Sequence, residues 1–580
     1  MSAVVVCSIL CAAIDALSVA TDLFGATAGF DYAPPSLWGW FLAVWLGVAA
    51  LFALVLMLVP SRFRTFLRNL AISGLLWYLV TIRVIRPLSI AIPRLLIGGA
   101  VLVCWFLTAL LFDRARGEHH TWPQRHALTF AAVIVLLLAI ATIVSDSPVA
   151  EASMSHRQAP ADAPNVIVIF LDTLRADTAL QMPNLQKFLA RGTVFDHAFS
   201  AAPWTLPAHI SAMTGRSAAE TGIGFTKRYY SSDTAAPVVL HREGYETVGV
   251  VANSFLNEST GFTRGFSSYK IEGRGLDACR SAPLADLRRF WPAFQHQVCS
   301  RVADTVIADV APSLQPNRRR PLFLLLNFTD VHDSYYVPSK CRRRTAVTPR
   351  DTYALLHAIA DYRLLDPQVA KRMRMAYGDA AQCLDQSLGT LFQKIDSLPG
   401  RTITIITSDH GDHFGEHRLY LHANSLFPQL LHVPLGIVGN GVPQQHIARE
   451  VSVTDMRDYI VNVANDGRGE SSLADLIAGR PVADDPPVAF LVDQLLTPAN
   501  FHPFAAVFDG GFEGIDRRSG VFEVYDLRKD PEATTDVSNL PAYQADRQRL
   551  RGLLASQQSR ELRDRLRRQQ IELHSIGYLR

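Results

Sequence analysis

The sequence lacks the charge excess of a nucleic-acid-binding protein. Its 56 Lys and Arg residues stand against 53 Asp and Glu residues, which leaves a formal net charge of only +3 over 580 residues. Dedicated nucleic-acid binders carry a basic excess that neutralises phosphates, so we expect no nucleic-acid partner. The sequence also has no internal repeat, and therefore gives no indication of a solenoid or an extended polymer site.

Cysteine is scarce and follows no zinc-binding pattern. None of the seven cysteines has a C-x-x-C or Cys/His zinc spacing, so a structural zinc site has no support. In an oxidising compartment, the four that follow the apolar N-terminal region could form two disulfides. Proximity favours Cys279 with Cys299 and Cys341 with Cys383, and four free thiols are the alternative.

Charged residues are rare before residue 146, where the apolar residues are concentrated. Residues 36–60, 95–112 and 127–145 contain no charge, and each is near the roughly 20 residues that cross a bilayer core. Residues 4–24 and 70–82 are weaker candidates because they contain or meet charged side chains. No Lys or Arg precedes the first segment, so it lacks the basic start of a cleavable signal peptide. We predict a transmembrane domain over 1–145 with about five helices, or four if the weakest candidate segment is not a helix.

The loops between these segments differ in arginine content. The loops that follow residues 36–60 and 95–112 carry six arginines. The loops on the opposite side, which follow residues 4–24 and 70–82, carry three. Arginine-rich loops face the cytoplasm, so with five helices everything after Ser145 emerges on the far side. The sequence therefore predicts an integral protein of the inner (cytoplasmic) membrane with an extracytoplasmic, periplasmic catalytic domain.

Beyond a polar linker over 146–163, three aliphatic runs have the pattern of strands buried on both faces. They cover Val166–Leu171, Leu322–Asn327 and Thr402–Thr407, and helical character in 183–191 and 373–398 alternates with them. Acidic or histidine residues follow each run. Because ligands of open α/β sheets bind at the carboxyl ends of the strands, we expect these residues to converge.

Asp172, Asp409 and His410 stand at two of these strand ends. Carboxylate oxygens and an imidazole nitrogen suit a divalent cation such as Mn²⁺, Mg²⁺ or Zn²⁺. Taken singly, each signal is weak, because an Asp after a strand is more often a helix cap than a metal ligand.

The sequence motifs around these residues resemble those of the sulfatase branch of the alkaline phosphatase superfamily. Four of them occur in order: NVIVIFLDTLRAD (165–177), PWTLPAHISAMTG (203–215), LNFTDVHDSYYVP (326–338) and SDHGDHFGEHRLYLH (408–422). The resemblance covers about 164–580 and implies a doubly wound α/β catalytic core over 164–450. A small C-terminal subdomain with a terminal helix follows over 451–580. It also implies one metal ion held by Asp172, Thr205, Asp409 and His410.

Thr205 departs from the sulfatase pattern. Sulfatases place Cys or Ser at the head of C/S-x-P-x-R and oxidise it to formylglycine, whereas this chain has Thr205-Leu206-Pro207-Ala208-His209. Threonine cannot become formylglycine, so none is expected. Thr205 instead resembles the nucleophile of the lipoteichoic acid synthases and of the phosphoglycerol and phosphoethanolamine transferases, which share the layout of a membrane domain before a sulfatase-like domain.

A second departure concerns the metal. Thr173 stands where many sulfatases have a further metal-binding Asp. One carboxylate fewer, with His410 retained, favours Mn²⁺, although Zn²⁺, Mg²⁺ and Ca²⁺ remain possible.

Three histidines complete the candidate catalytic residues. His332 and His422 resemble superfamily residues that contact the ester oxygens or protonate the leaving group, and a near-neutral pKa suits that role. His209 takes the place of the sulfatase Arg, and either orients the nucleophile or only packs and hydrogen bonds.

Three functions are consistent with these features. The leading interpretation, which Thr205 and the predicted membrane domain favour, is a membrane-bound, metal-dependent phosphotransferase. It moves phosphoethanolamine or phosphoglycerol from a membrane lipid through Thr205 to an extracytoplasmic glycan or lipid acceptor. The alternative is a hydrolase of phosphodiester, phosphonate or sulfate esters with the same site. The amino-acid sequences of the motifs favour this alternative. A catalytically silent membrane binding protein is the third, and the intact ligand set argues against it.

Overall fold

The computed structural model describes residue 159 and residues 162–557, apart from 226, 272–301, 316–317, 334, 336, 339, 342–343, 345–346, 362, 484, 493–502 and 518–519. In this part of the chain, no helix is both long enough and apolar enough to cross a bilayer. The predicted membrane helices over 1–145, Cys279, Cys299 and the terminal helix beyond 557 lie outside the described residues.

Eight strands form the central sheet, in the order β10-β2-β9-β6-β1-β5-β3-β4. The strands are β1 (Asn165–Leu171), β2 (Thr193–Phe199), β3 (Glu246–Val251), β4 (Ser268–Lys270), β5 (Leu322–Phe328), β6 (Thr402–Thr407), β9 (His432–Gly439) and β10 (Gln445–Ser452). A separate short ribbon consists of β7 (His413–Phe414) and β8 (Tyr420–Leu421).

The three predicted buried strands are confirmed as β1, β5 and β6. Every residue of β1 and of β5 is buried, which explains why both read as continuous aliphatic runs. Strand β1 lies between β5 and β6 and is parallel to both. The carboxyl ends of all three strands therefore meet at one edge of the sheet.

The sheet is mixed rather than wholly parallel. Strand β9 runs antiparallel to both β2 and β6, whereas β3 pairs in parallel with β5. The α/β class of the prediction holds, and the antiparallel strand is an addition that the aliphatic runs alone did not reveal.

Helices cover both faces of the sheet. The helices are α1 (Ala176–Ala179), α2 (Pro183–Leu189), α3 (Thr205–Thr214), α4 (Ala218–Thr221), α5 (Ala236–Arg242), α6 (Ala303–Val310), α7 (Pro349–Asp361), α8 (Pro367–Asp396), α9 (Pro428–Leu431), α10 (Met456–Ala464) and α11 (Ser472–Ile477). One face of the sheet packs on α2, α6 and α8, and the other face packs on α3, α5 and α10.

A second, antiparallel sheet follows the core. It contains β11 (Val488–Phe490), β12 (Pro503–Asp509), β13 (Phe512–Arg517) and β14 (Phe522–Asp526), in that order. The last described helix, α12, runs over 544–557. Its Leu550 and Leu554 are buried in one apolar cluster with Phe512 and Phe522, so the apolar face of this part of the helix packs on the protein.

A disulfide joins Cys341 to Cys383, as proximity favours. Cys383 lies within α8, and Cys341 follows the segment that contains His332. The bond therefore fixes the chain after β5 to the longest helix of the core.

Reduction of this disulfide should destabilise the catalytic region. The two cysteines are 42 residues apart, and a loop of that length corresponds to about 4 kcal/mol in the chain-entropy description. The measurement is the urea midpoint of unfolding of the full-length protein, monitored by pulse proteolysis with and without a reductant. Cys341→Ser is the control and should show no further effect of the reductant. An unchanged midpoint in the unsubstituted protein would contradict the bond.

Candidate metal and nucleophile site

The polar residues of the candidate site lie where the strands of the central sheet end. Asp172 follows β1, and Asp409 and His410 follow β6 after Ser408. Strand β5 brings Asn327 to the same edge, and Asn253 follows β3. All five side chains are buried, so each polar atom needs a partner within the site.

Asp172 is held through one of its two carboxylate oxygens. Its Oδ2 accepts hydrogen bonds from Asn253 Nδ2 at 2.8 Å and from Asn327 Nδ2 at 3.2 Å. Its Oδ1 is buried without a hydrogen-bond partner.

Asp409 repeats this arrangement. Its Oδ1 accepts hydrogen bonds from the backbone N–H groups of Thr173 at 3.2 Å and of His410 at 3.0 Å. Its Oδ2 has no hydrogen-bond partner.

His410 directs a nitrogen lone pair at these two oxygens. Its Nδ1 lies 3.0 Å from the carbonyl oxygen of Gly411, so Nδ1 carries the proton and Nε2 is free of one. Nε2 lies 3.4 Å from Asp409 Oδ2 and 3.8 Å from Asp172 Oδ1.

These residues fit a divalent cation. Asp172, Asp409 and His410 each offer one donor atom, and these atoms lie within 4.8 Å of one another. Two buried carboxylate oxygens without partners and a nitrogen lone pair would be costly to leave uncompensated, and they are the donors that Mn²⁺ or Zn²⁺ binds.

The pKa values of these three residues also indicate that the site requires a cation. Burial, together with the neighbouring Asp409 carboxylate, raises the pKa of Asp172. Burial raises the pKa of Asp409 to about 7. Burial lowers the pKa of His410 to about 3, which keeps its imidazole neutral. The carboxylates therefore need a cation that this histidine does not supply.

Thr205 begins helix α3 beside these donors. Its Oγ1 lies 3.4 Å from His410 Nε2 and accepts a hydrogen bond from Asn253 Nδ2 at 3.1 Å. The backbone N–H groups in the first turn of a helix lack intrahelical partners and favour an anion nearby. The hydroxyl is thus within reach of the candidate ligands, at the end of a ten-residue helix that suits an anionic group.

His209 lies one turn further along α3 and contacts the backbone of Thr205 rather than its hydroxyl. Its Nε2 is 3.3 Å from the donor Asn327 Nδ2, so Nε2 accepts, and the protonated Nδ1 donates to the carbonyl oxygen of Thr205 at 2.9 Å. Its ring packs on Phe170, and burial lowers its pKa to about 3. His209 therefore anchors the start of α3 as a neutral side chain.

Thr173 connects the two carboxylates through strained backbone. It has a φ of +62°, which is a rare conformation for a β-branched residue. Its hydroxyl donates to the carbonyl oxygen of Asp172, and Tyr377 donates its own hydroxyl hydrogen to the carbonyl oxygen of Thr173. The Thr173 hydroxyl is therefore bonded to backbone, and the Thr173 N–H orients Asp409.

His332 and His422 lie together at the edge of the site. Their ring centroids are 4.9 Å apart, and the ring of His422 is 4.5 Å from that of His410. Burial alone would lower the pKa of His332, but the carboxylates of Asp333 and Asp172 raise it well above its usual value. This shift favours the protonated form of His332, next to the candidate ligands.

Asp412 and Tyr335 hold His422 in place. Asp412 Oδ1 lies 2.7 Å from His422 Nδ1, and Asp412 Oδ2 accepts a hydrogen bond from the Tyr335 hydroxyl at 2.8 Å. A carboxylate accepts only, so Nδ1 of His422 carries the proton. This leaves Nε2 of His422 as the nitrogen available to the site.

Other polar residues of the motifs support the fold around the site. Asp330 accepts a hydrogen bond from the N–H of Ala303 and so caps α6. His413 Nε2 lies 2.7 Å from the hydroxyl of Ser425. Arg175 donates to Glu416 and to the carbonyl oxygen of Asp412, which ties the chain after β1 to the chain after β6.

Asn253, Asn327 and Asp412 are contacts that the sequence reasoning missed. Asn327 and Asp412 lie within motifs that carry the resemblance, and Asn253 ends the run VGVVAN (248–253), but none has a distinctive spacing. The available signal was a polar residue at the end of an aliphatic strand, which applies to Asn327 and Asn253.

Comparisons with known proteins agree with the α/β fold. The family model described as Sulfatase matches residues 164–465. A choline-sulfatase of Rhizobium meliloti (strain 1021) is 22% identical over 65% of this chain and 83% of its own length. A sulfatase of Formosa agariphila is 24% identical over 50% of this chain and 66% of its own length. The crystal structure of a phosphonate monoester hydrolase of Agrobacterium radiobacter has the same fold, with a TM-score of 0.53, 18% identity, and coverage of 69% of this chain and 96% of its own.

Addition of Mn²⁺ or Zn²⁺ to the metal-free protein should raise the stability of the catalytic region. A metal ion at a free concentration of 100 times its Kd raises the free energy of unfolding by about 2.7 kcal/mol if it binds only the folded state. Asp409→Asn should abolish this increase, because it removes one candidate ligand oxygen. The measurement is the thermal midpoint with each metal alone. Asp196→Asn, which alters a carboxylate away from the site, is the matched control and should keep the increase. An equal increase in Asp409→Asn would contradict the site.

Proposed function

The chain belongs to the sulfatase family, and from that premise we propose that it is a metal-dependent hydrolase of sulfate, phosphonate or phosphodiester esters with Thr205 as the nucleophile. The observation that carries the proposal is the position of Thr205 Oγ1, 3.4 Å from His410 Nε2 and hydrogen bonded by Asn253. The family membership and the choline-sulfatase relative support a hydrolase over a transferase.

Asp172, Asp409, His410 and Thr205 would hold the metal ion. A divalent cation bound there would lower the pKa of the Thr205 hydroxyl and neutralise charge on the ester oxygens. Mn²⁺ is the ion that we favour, because Thr173 supplies no third carboxylate and His410 supplies a nitrogen.

Thr205 attacks the ester in the first step. After losing its proton to solvent, Thr205 Oγ1 forms a bond to the sulfur or phosphorus atom, and the bond to the leaving alcohol oxygen breaks. His332, which is protonated, gives its proton to that oxygen. The alcohol leaves, and the sulfuryl or phosphoryl group is covalently bound to Thr205.

Water completes the reaction in the second step. His332, now neutral, takes a proton from water as the water oxygen bonds to sulfur or phosphorus. The bond to Thr205 Oγ1 breaks, and its electron pair returns to Oγ1. His332 is then protonated again, and Thr205 Oγ1 takes a proton back from solvent. Both groups are as they were before the first step, so the two steps balance.

The charge of the site favours monoanionic esters. The buried carboxylates of Asp172 and Asp409 would offset a divalent cation. The carboxylate of Asp333 offsets the positive charge of His332, to which it is ion-paired. The neutral His209 adds none. Sulfate monoesters, phosphonate monoesters and phosphodiesters each carry one negative charge at neutral pH, whereas phosphate monoesters carry close to two.

Phosphotransfer to an extracytoplasmic acceptor is the second candidate. It uses the same Thr205 intermediate, with a membrane lipid as the donor and a glycan or lipid hydroxyl in place of water. The apolar segments before residue 146 and the threonine nucleophile favour it. The Cys341–Cys383 disulfide is consistent with the proposed periplasmic location, because disulfides persist in oxidising compartments.

Thr205→Ala should lower kcat for 4-nitrophenyl sulfate or 4-nitrophenyl phenylphosphonate by about 10³-fold or more, because it removes the covalent route. Thr205→Ser should retain measurable turnover. A second measurement is intact-mass analysis of His332→Ala with Mn²⁺ and substrate, which should show a sulfuryl or phosphoryl adduct mapped to Thr205, since water is then poorly activated.

Retained turnover in metal-loaded Thr205→Ala would contradict the covalent mechanism. An adduct that passes to added glycerol or a glycan faster than to water would instead favour the transferase. Mass analysis of the products, with phosphoethanolamine and phosphoglycerol lipids offered as donors, separates the two functions.

Substrate charge should decide selectivity. We expect kcat/KM for 4-nitrophenyl sulfate or 4-nitrophenyl phenylphosphonate to exceed that for 4-nitrophenyl phosphate by about 10-fold or more, since a site whose positive charges are offset by carboxylates disfavours a dianion. The comparison is made at one pH above 7 with saturating Mn²⁺. A preference for the phosphate monoester would mean that the site holds further cations.

A further inference from the structure

Asn253 has a fixed orientation that directs its amide nitrogen into the site. Its Oδ1 accepts a hydrogen bond from the N–H of Phe255 at 3.0 Å. Its own backbone N–H donates to Asn327 Oδ1 at 2.9 Å. With Oδ1 occupied by a backbone donor, Nδ2 can face only the other way, so the amide orientation follows from the hydrogen bonds.

The two hydrogens of this nitrogen reach two different functional groups. One is donated to Asp172 Oδ2 at 2.8 Å, and the other to Thr205 Oγ1 at 3.1 Å. Asn327 also donates to Asp172 Oδ2, but its other contact is His209. Asn253 therefore connects a candidate metal ligand directly to the nucleophile, whereas Asn327 does not touch the nucleophile.

We propose that Asn253 is a catalytic residue whose amide stabilises negative charge on Thr205 Oγ1. This inference rests on the proposed function, in which Thr205 Oγ1 is the attacking atom. The donor is in place before substrate arrives, because the backbone N–H of Phe255 holds Oδ1 and so fixes the side-chain amide. A preorganised donor in a buried site costs no reorganisation at the moment of reaction.

The hydrogen bond acts in both steps of the reaction. Oγ1 is negatively charged after Thr205 loses its proton, and a hydrogen bond to a charged oxygen is about twice as strong as one to a neutral oxygen. The charge disappears as Oγ1 bonds to sulfur or phosphorus, and it returns when that bond breaks and the electron pair moves back to Oγ1. Asn253 keeps its protons throughout, so the balance of the reaction is unchanged.

The role predicts a defect in turnover rather than in substrate binding. Removal of one such donor from a preorganised site costs about 10²- to 10³-fold in kcat. The contact is to the nucleophile and not to the substrate, so KM should change by less than about threefold. A residue that only held Asp172 would act through the metal, and more metal would compensate for its loss.

The experiment compares Asn253→Ala and Asn327→Ala in the full-length protein. Each loses a donor to Asp172 Oδ2, but only Asn253→Ala loses the donor to Thr205 Oγ1. The measurements are kcat and KM for 4-nitrophenyl sulfate or 4-nitrophenyl phenylphosphonate over a Mn²⁺ titration, with bound metal determined by mass spectrometry. At saturating Mn²⁺, Asn253→Ala should remain at least 100-fold below the unsubstituted enzyme in kcat, and Asn327→Ala should recover to within about 10-fold.

Full recovery of Asn253→Ala by added Mn²⁺ would overturn the inference and leave Asn253 a structural residue. Asn253→Asp is the second variant, since it keeps the side-chain shape, lacks the donor, and should show the same loss of kcat. Failure of the proposed function has a different signature: Thr205→Ala would then turn over as well as the unsubstituted enzyme. In that case the inference fails with it.

Discussion

Two buried carboxylates, Asp172 and Asp409, are the constraint on which the rest of the site depends. Each is hydrogen bonded through one oxygen and leaves the other without a partner. Buried charges persist only when they are paired or coordinate a metal. The neutral His410 beside them offers a lone pair and not a positive charge. A divalent cation is the partner that would satisfy all three groups together.

The fold supplies this arrangement through the order of its strands. With β1 between β5 and β6, and β3 beyond β5, four parallel strands deliver Asp172, Asn327, Asp409 and Asn253 to one edge. Backbone donors then fix the side chains: the N–H of Thr173 orients Asp409, and the N–H of Phe255 orients Asn253. Even the glycine after His410 is required, since a Cβ on Gly411 would lie 2.1 Å from the carbonyl oxygen of Gln429.

The sequence predicted the buried strands and singled out the three residues that the structure brings together as candidate metal ligands, because aliphatic runs and the polar residues that end them are local patterns. It did not predict β9 as an antiparallel neighbour of β6, since pairing depends on long-range contacts that the pattern of one strand does not encode. The role of His209 was left open for the same reason. Its tautomer is set by Asn327, which is 118 residues away in the chain. The family motifs named the place of Thr205, but only the structure shows the amide of Asn253 against its hydroxyl.

The most direct test of this account is the anomalous difference map of crystals of the protein grown with Mn²⁺. The account predicts one strong peak bounded by Asp172 Oδ1, Asp409 Oδ2, His410 Nε2 and Thr205 Oγ1, at about 2.0–2.3 Å from each, as expected for oxygen and nitrogen ligands of such ions. A peak elsewhere, or a peak from which Thr205 Oγ1 is turned away, would contradict the claim that the buried carboxylates and the hydroxyl form a single metal site.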